Sequence, residues 1–341
     1  MKRIFQTLLA ASFAMASMPA QADPFVLDNG RITIGIDEYG GLGGGGVGLI
    51  GPGGDAVMRG CLCEGWGASA DSVSAYTYGG VTNNIRSGNA VSNLPGFPLY
   101  GRSLATLENG LEVSHAYTSV ADGRLFRVQV TLWNVELQTL RDVRYARTLD
   151  LDVAPGFFDD NYTTIYGGSP NGPAGPVLST SANPVGVPDP MVLRPEFQNV
   201  NLTDRGGDLG SYFVLSFGDL GRSESISFDM YIGATDSVSE LMDAFKSVGI
   251  EAFTYTTGNL TGDDMHPAPA FGYGFAGLGL PAWSPNEVPE PASIALLAAG
   301  AAGMALGRRR GSRAVVFPSV SALAMVWYVM CFAVLFTGCR K

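Results

Sequence analysis

Apolar and polar residues alternate along much of this chain, and a period of two predicts strands with one buried face. Residues 25–37 turn at Asn29-Gly30 and then alternate Ile32, Ile34 and Ile36, which reads as a hairpin. The clearest block covers 111–119, 125–133 and 142–153. Phe126, Val128, Val130 and Leu132 alternate in its second member, and Val143, Tyr145, Leu149, Leu151 and Val153 mark the third. Asp122-Gly123 supplies a turn between the first two, so the block predicts an antiparallel meander. Strands resume at 211–218, at 224–234 (Ile226, Phe228, Met230, Ile232) and at 250–256. One helix interrupts them: Ser237 caps it with Glu240 three residues on, Val238, Leu241, Met242, Phe245 and Val248 form its stripe, and Gly249 ends it.

The remaining stretches read as loops. Residues 40–54 hold ten glycines and predict a flexible connection. Residues 68–101 predict long surface loops joining short strands, 154–199 an extended surface loop around Ser169-Pro170-Asn171-Gly172-Pro173, and 268–283 a Gly/Pro/aromatic approach to the C-terminal region. The expected fold class is mainly β, an antiparallel β-sandwich-like domain with one short helix.

Two apolar runs break the alternation. Lys2 and Arg3 precede the run 4–18, and Ala20-Gln21-Ala22 offers an A-x-A cleavage site before Asp23, which predicts a secretory signal peptide over 1–22. Toward the other end, Val288-Pro289-Glu290-Pro291 leads into the apolar run 294–306 and the cluster Arg308, Arg309, Arg310. Pro289 and Pro291 hold the chain extended, so a helix begins only after them. At about 1.5 Å per residue the run spans roughly 20 Å, short of the roughly 30 Å hydrocarbon core, and snorkelling arginines help it cross. The positive-inside rule keeps those arginines in the cytoplasm and places everything before Val288 outside. The expected organisation is a signal peptide (1–22), an exported β-rich ectodomain (23–287), a sorting and membrane-anchoring segment (288–310) and a hydrophobic tail (311–341).

Charge narrows the partners. Between residues 23 and 287, 13 Lys and Arg face 30 Asp and Glu, a formal charge of −17 with Lys246 the only lysine. Nucleic acid is excluded as a partner, because binding it takes cationic side chains that displace counterions. Calcium and neutral polysaccharide remain open. Gly43-x-Gly45-x-x-Gly48 matches a dinucleotide fingerprint by letter, but no helix pattern follows and Pro52 interrupts where one would run. Cys61 and Cys63 lie in the exported region, where they form a local disulfide or stay inert thiols; no nearby histidine or further cysteine points to zinc. Trp66, Tyr76, Tyr78 and Tyr100 are candidates either for the core or for stacking on sugar rings.

Candidate chemistry centres on Asp150 and Asp152. On a strand they would share a face with Arg144 and Thr148, about 7 Å apart at two residues of rise. Such a pair would share Ca²⁺ with Asp159, Asp160 or Asn161, act as acid and base in glycan cleavage, or simply pair with Arg144 or Arg147. His115 and His266 are the only histidines, and neither sits in a nucleophile motif.

The order Pro-Glu-Pro, short apolar helix, arginine cluster resembles the PEP-CTERM sorting signal of Gram-negative bacteria that build exopolysaccharide matrices. The resemblance implies recognition and removal of this segment by exosortase, a membrane cysteine protease-transpeptidase, with the inner membrane as an intermediate station and the cell surface or matrix as destination. Residues 142–147 and 150–153, Tyr231-Ile232-Gly233-Ala234, Gly249-Ile250-Glu251-Ala252 and Phe271-Gly272-Tyr273-Gly274-Phe275 look like a group of exported proteins that carry this signal. That likeness brings no catalytic residues. Some ice-binding proteins carry the signal too, but no flat Thr/Ala array appears here. Unlike the usual pattern, the chain continues beyond the arginines through the apolar run 315–337; Leu335-Phe336-Thr337-Gly338-Cys339 resembles a displaced lipobox, read as a frame fusion or a tail discarded with the anchor.

The functional expectation is an exported, exosortase-sorted surface or matrix protein that binds or organises exopolysaccharide without catalysis and without an obligatory cofactor. The alternative is a carbohydrate-active enzyme on a mutarotase-like or glycan-lyase-like sandwich. A cleft grouping Asp, Arg and Tyr would favour the enzyme.

Overall fold

The computed structural model describes residues 23–94, 97–158, 161–259 and 268–285. Strands β1 (Phe25–Asp28) and β2 (Thr33–Ile36) make the expected hairpin, and Ile32, Ile34 and Ile36 are buried. β3 (Leu49–Gly51) and β4 (Gly54–Asp55) complete a small four-stranded sheet.

The glycine-rich stretch is not a flexible connection. Gly40 is buried at φ +94°, and a Cβ there would lie 2.3 Å from Ser103 Oγ and 2.7 Å from His115 Nδ1. A Cβ on Gly44, in a short 3₁₀ turn (Gly44–Gly46), would fall 2.0 Å from the Ile36 carbonyl oxygen. Glycine is used here for close backbone approach, so the segment packs into the core. Strand β3 follows it, which agrees with setting the dinucleotide reading aside.

Beyond this sheet the chain continues as β5 (Glu64–Ala70), β6 (Val73–Tyr78), β7 (Val81–Asn83), β8 (Ile85–Leu94), β9 (Phe97–Leu107), β10 (Leu111–Ser119), β11 (Leu125–Asn134) and β12 (Leu140–Leu149). It goes on through β13 (Tyr162–Tyr166), β14 (Gly168–Ser169), β15 (Gly172–Pro173), β16 (Val177–Ser181), β17 (Leu202–Gly206), β18 (Ser211–Leu220) and β19 (Ser225–Thr235). Helix α1 (Val238–Ser247), β20 (Ala252–Thr257) and β21 (Ala270–Ala276) close it. A nine-stranded sheet takes the order β17-β13-β20-β21-β19-β11-β10-β9-β8, and a six-stranded sheet the order β16-β18-β12-β5-β6-β7. The pairings within both are antiparallel.

Aromatic side chains join the inner faces of the two sheets. Tyr145 on β12 meets Phe228 on β19 edge-on with ring centroids 5.3 Å apart, and Phe213 on β18 lies 5.4 Å from Phe275 on β21. Trp66 on β5 reaches His115 on β10 at 4.9 Å. These contacts sit inside one buried cluster that draws on both sheets and the N-terminal hairpin. Helix α1 covers the other face of the large sheet, where Leu241 and Phe245 pack with Tyr231, Phe253 and Tyr255. Its cap is the expected one: the Glu240 amide donates to Ser237 Oγ at 3.3 Å, and Gly249 follows the helix at φ +69°.

Several expectations change. The three-strand meander is a pair: β10 and β11 are neighbours, but β12 crosses to the other sheet, between β5 and β18. Residues 68–101 hold the rest of β5, all of β6, β7 and β8 and part of β9 instead of long loops. β8 is an edge strand, so its Ser, Asn and Gly residues leave little apolar periodicity to read. Residues 154–199 carry β13 to β16. β21 is an interior strand of the large sheet, with Phe271, Tyr273 and Phe275 in the core and glycines between them; a Cβ on Gly274 would lie 2.9 Å from Phe253 Cβ.

Candidate functional site

Asp150 and Asp152 do not lie on a strand. β12 ends at Leu149, and the two aspartates belong to the turn-rich segment that follows, so strand alternation sets neither their spacing nor their facing. The backbone amide of Asp150 donates to the Cys63 carbonyl at 3.1 Å, and that of Asp152 to the Ala56 carbonyl at 2.8 Å. The third member is Asp208, in the short link between β17 and β18. Because Leu149 pairs with both Glu64 and Ser211, the end of β12, the start of β5 and the start of β18 meet at one end of the six-stranded sheet. One carboxylate oxygen from each of Asp150, Asp152 and Asp208 lies within 4.8 Å of the others.

Burial and repulsion shape this cluster. Asp152 is buried, Asp150 half-buried and Asp208 exposed. Burial, then the Asp152 and Asp208 charges, push the Asp150 carboxyl up to about 7. Burial also raises Asp152, although its Oδ1 accepts from the Phe158 amide at 3.1 Å. The expected arginine partners are elsewhere: Arg144 binds Asp142, and Arg147 binds Glu64 inside the core. Arg59, the nearby cation, donates to the carbonyls of Asp55 and Gly53 and stacks over Phe157, with its guanidinium carbon 4.3 Å from the ring centre. Of the neighbours considered from sequence, Asn161 is buried beside the cluster, and Asp159 and Asp160 lie outside the described residues. Cys61 and Cys63 form a disulfide, one of the two expectations, which closes the loop that abuts Asp150. Three carboxylates in such a space hold either a cation or a shared proton.

A second polar group is sealed in the core. Glu64 and Arg147 form an ion pair, Glu64 Oε2 accepts from the Leu42 amide at 2.6 Å, and Tyr117 donates to the Gly40 carbonyl at 2.8 Å. His115 has Tyr145 Oη 3.1 Å from Nε2 and Ser103 Oγ 3.5 Å from Nδ1. The arrangement anchors the glycine-rich segment between the sheets.

Among the sugar-stacking candidates, Trp66 is wholly buried and donates to the Tyr39 carbonyl at 3.0 Å, so it belongs to the core. Tyr76 and Tyr78 are half-exposed on the face of β6 opposite the buried Ala75 and Thr77; Tyr100 is half-exposed on β9. Asp23 is exposed, while Ala20, Ala22, Val288, Pro289, Glu290, Pro291, Arg308, Arg309, Arg310, His266 and the tail 311–341 lie outside the described residues. Among the described residues no helix is long and apolar enough to cross a membrane.

Fold and site together define a mainly antiparallel β protein with an acidic cluster at one end of its smaller sheet. The chain carries a PEP-CTERM protein-sorting motif over residues 287–310, as the Pro-Glu-Pro, apolar and arginine order led us to expect. It is also similar to a galactose mutarotase-like protein from Lactobacillus casei ATCC 334, with 11% identity over 77% of this chain and 90% of that one and a TM-score of 0.26, a likeness too loose to define a fold. No curated protein matches the chain.

Proposed function

We propose that this is an exported surface or matrix protein, delivered by an exosortase-type transpeptidase, whose sandwich-like ectodomain binds or organises exopolysaccharide without catalysing a reaction. The observation that carries the delivery half is the sorting motif over 287–310, preceded by a folded domain with its own core. Proline at 289 and 291 disfavours helix, which would suit recognition of this stretch in extended form by a membrane protease, and the arginines at 308–310 would hold the anchor until cleavage. A binding role is supported by where the polar chemistry lies. His115, Arg147 and Glu64 are sealed in the core, beyond the reach of a polymer, whereas Tyr76 and Tyr78 offer half-exposed rings on an outward face.

The test is fractionation of the native host with and without its exosortase, followed by mass spectrometry of the mature C-terminus and incubation of the purified protein with isolated matrix polysaccharide. Trimming near the motif only when exosortase is present, and retention on the polysaccharide without change in its length, would support the reading. An untrimmed protein in both strains would sink the delivery half. Shortened or unsaturated glycan products would replace binding with catalysis.

A further inference from the structure

We propose that Asp150, Asp152, Asp208 and Asn161 form a calcium site that locks together the segment following β12 and the loop preceding β18. Two oxygens bound to one Ca²⁺ at about 2.4 Å are separated by at most roughly 4.8 Å. The carboxylate oxygens of the three aspartates meet that limit pairwise. None of the three forms a direct ion pair among the described residues, and Arg59, which attracts Asp152 from farther off, is one cation facing three carboxylates.

Asn161 supplies an independent observation. It is 2% exposed, and its Oδ1 is buried without a hydrogen-bond partner among the described residues. A buried amide oxygen left without a partner is costly, and native proteins rarely tolerate it unless an ion or water completes it. Its side chain is pinned beside the aspartates. Nδ2 donates to the carbonyl of Leu151, the residue between Asp150 and Asp152, and its own backbone carbonyl accepts from Gly207, the residue before Asp208. Asn161 thus bridges the two segments that bring the carboxylates, through its side chain to one and its backbone to the other.

The donor set selects the metal. All four side chains offer hard oxygen, and the two thiols near Asp150 are closed as a disulfide, which removes the soft ligands that zinc or copper would prefer. An irregular set of carboxylates and one amide, open to water on the Asp208 side, suits the adaptable coordination of Ca²⁺ better than the strict octahedron of Mg²⁺. This goes beyond the sorting reading and does not depend on it: trimming by exosortase and ion binding fail separately.

The experiment titrates chelator-stripped mature protein with CaCl₂, and in parallel with MgCl₂, by calorimetry and by thermal melting. One Ca²⁺ per chain is expected, with Kd of about 10⁻⁴–10⁻³ M as in extracellular modules, and a melting temperature that rises with calcium. Asp208→Asn, at an exposed position, should weaken binding by about tenfold or more, and the surface control Asp243→Asn should leave it unchanged. Asn161→Asp tests the amide: the added carboxylate should tighten calcium binding yet lower the melting temperature in chelator. Absence of heat and of a thermal shift up to about 10 mM calcium, tenfold above the weakest such sites, overturns the proposal. Wild-type affinity in Asp208→Asn overturns it as well, and equal affinity for magnesium overturns the assignment to calcium.

Discussion

Glu64 and Arg147 form an ion pair inside the core, each side chain only 1% exposed, with Glu64 Oε2 also accepting from the Leu42 amide. They sit on neighbouring strands of the six-stranded sheet and hold the glycine-rich segment against its inner face. A buried pair contributes little when both partners are present, because desolvation offsets the attraction, but removing one partner strands a charge in the core. Arg147→Met alone should therefore cost about 3–5 kcal/mol, while Arg147→Met with Glu64→Leu should recover most of the loss. Denaturant unfolding of the two singles and the double would check this, and additive losses would contradict it.

His115 carries a pH dependence that can be isolated. Burial, then the Arg147 guanidinium, holds its pKa well below the ordinary 6.5, so the imidazole stays neutral in the fold while the unfolded chain takes up a proton below 6.5. The depressed imidazole therefore costs nothing well above pH 6.5, and the stability lost grows as pH falls from 6.5 toward its folded pKa. Relative to His115→Gln, the wild type should lose up to about 1.4 kcal/mol per pH unit below 6.5. Parallel stability curves for the two proteins between pH 7.5 and 5 would refute a buried neutral imidazole.

Two glycines six residues apart should respond differently to the same substitution. Gly46, exposed at φ +76°, has nothing within 4 Å of a would-be Cβ, so Gly46→Ala should cost only the backbone strain of about 1–2 kcal/mol. Gly40→Ala adds a clash with Ser103 and His115 to the same strain, and overpacking typically adds another ~1–3 kcal/mol. Thermal melting of both variants measures the contrast. Equal losses would mean the segment is as mobile as its composition suggested.

Replacing Pro289, Glu290 and Pro291 with alanines should let helix propagate backward and bury the tether that a membrane protease grips in extended form. Export should be unaffected, since residues 2–22 are unchanged. The expected result on immunoblots of fractionated cells is full-length protein held in the inner membrane, against a shorter wild-type species outside. A variant trimmed like wild type would reduce the triplet to a helix boundary.

Local chemistry alone determines those features of the protein for which one short stretch contains the whole cause. The Asn29-Gly30 hairpin, the Ser237 cap with Gly249 beyond it, the alternation of 125–133 and 224–234, and the sorting segment are of that kind, and all are legible in the sequence. The strand at 270–276 also left a signal, Phe271, Tyr273 and Phe275 alternating with glycine, which its Gly-rich composition masked.

Tertiary structure decided the rest, because the causes are distant in sequence. Whether ten glycines make a mobile loop or a tightly packed one depends on what lies against them, here Ser103, His115 and the Ile36 backbone. Alternation could not say that β12 leaves its sequence neighbours for a second sheet, nor that the strand stops at Leu149 just before the two aspartates. Asp208 stands far along the chain from Asp152, and only the pairing of β12 with β18 brings them together. A sequence specifies its turns, caps and addresses one at a time through nearest neighbours, whereas a cluster of like charges exists only once strand pairing has brought its members to one place.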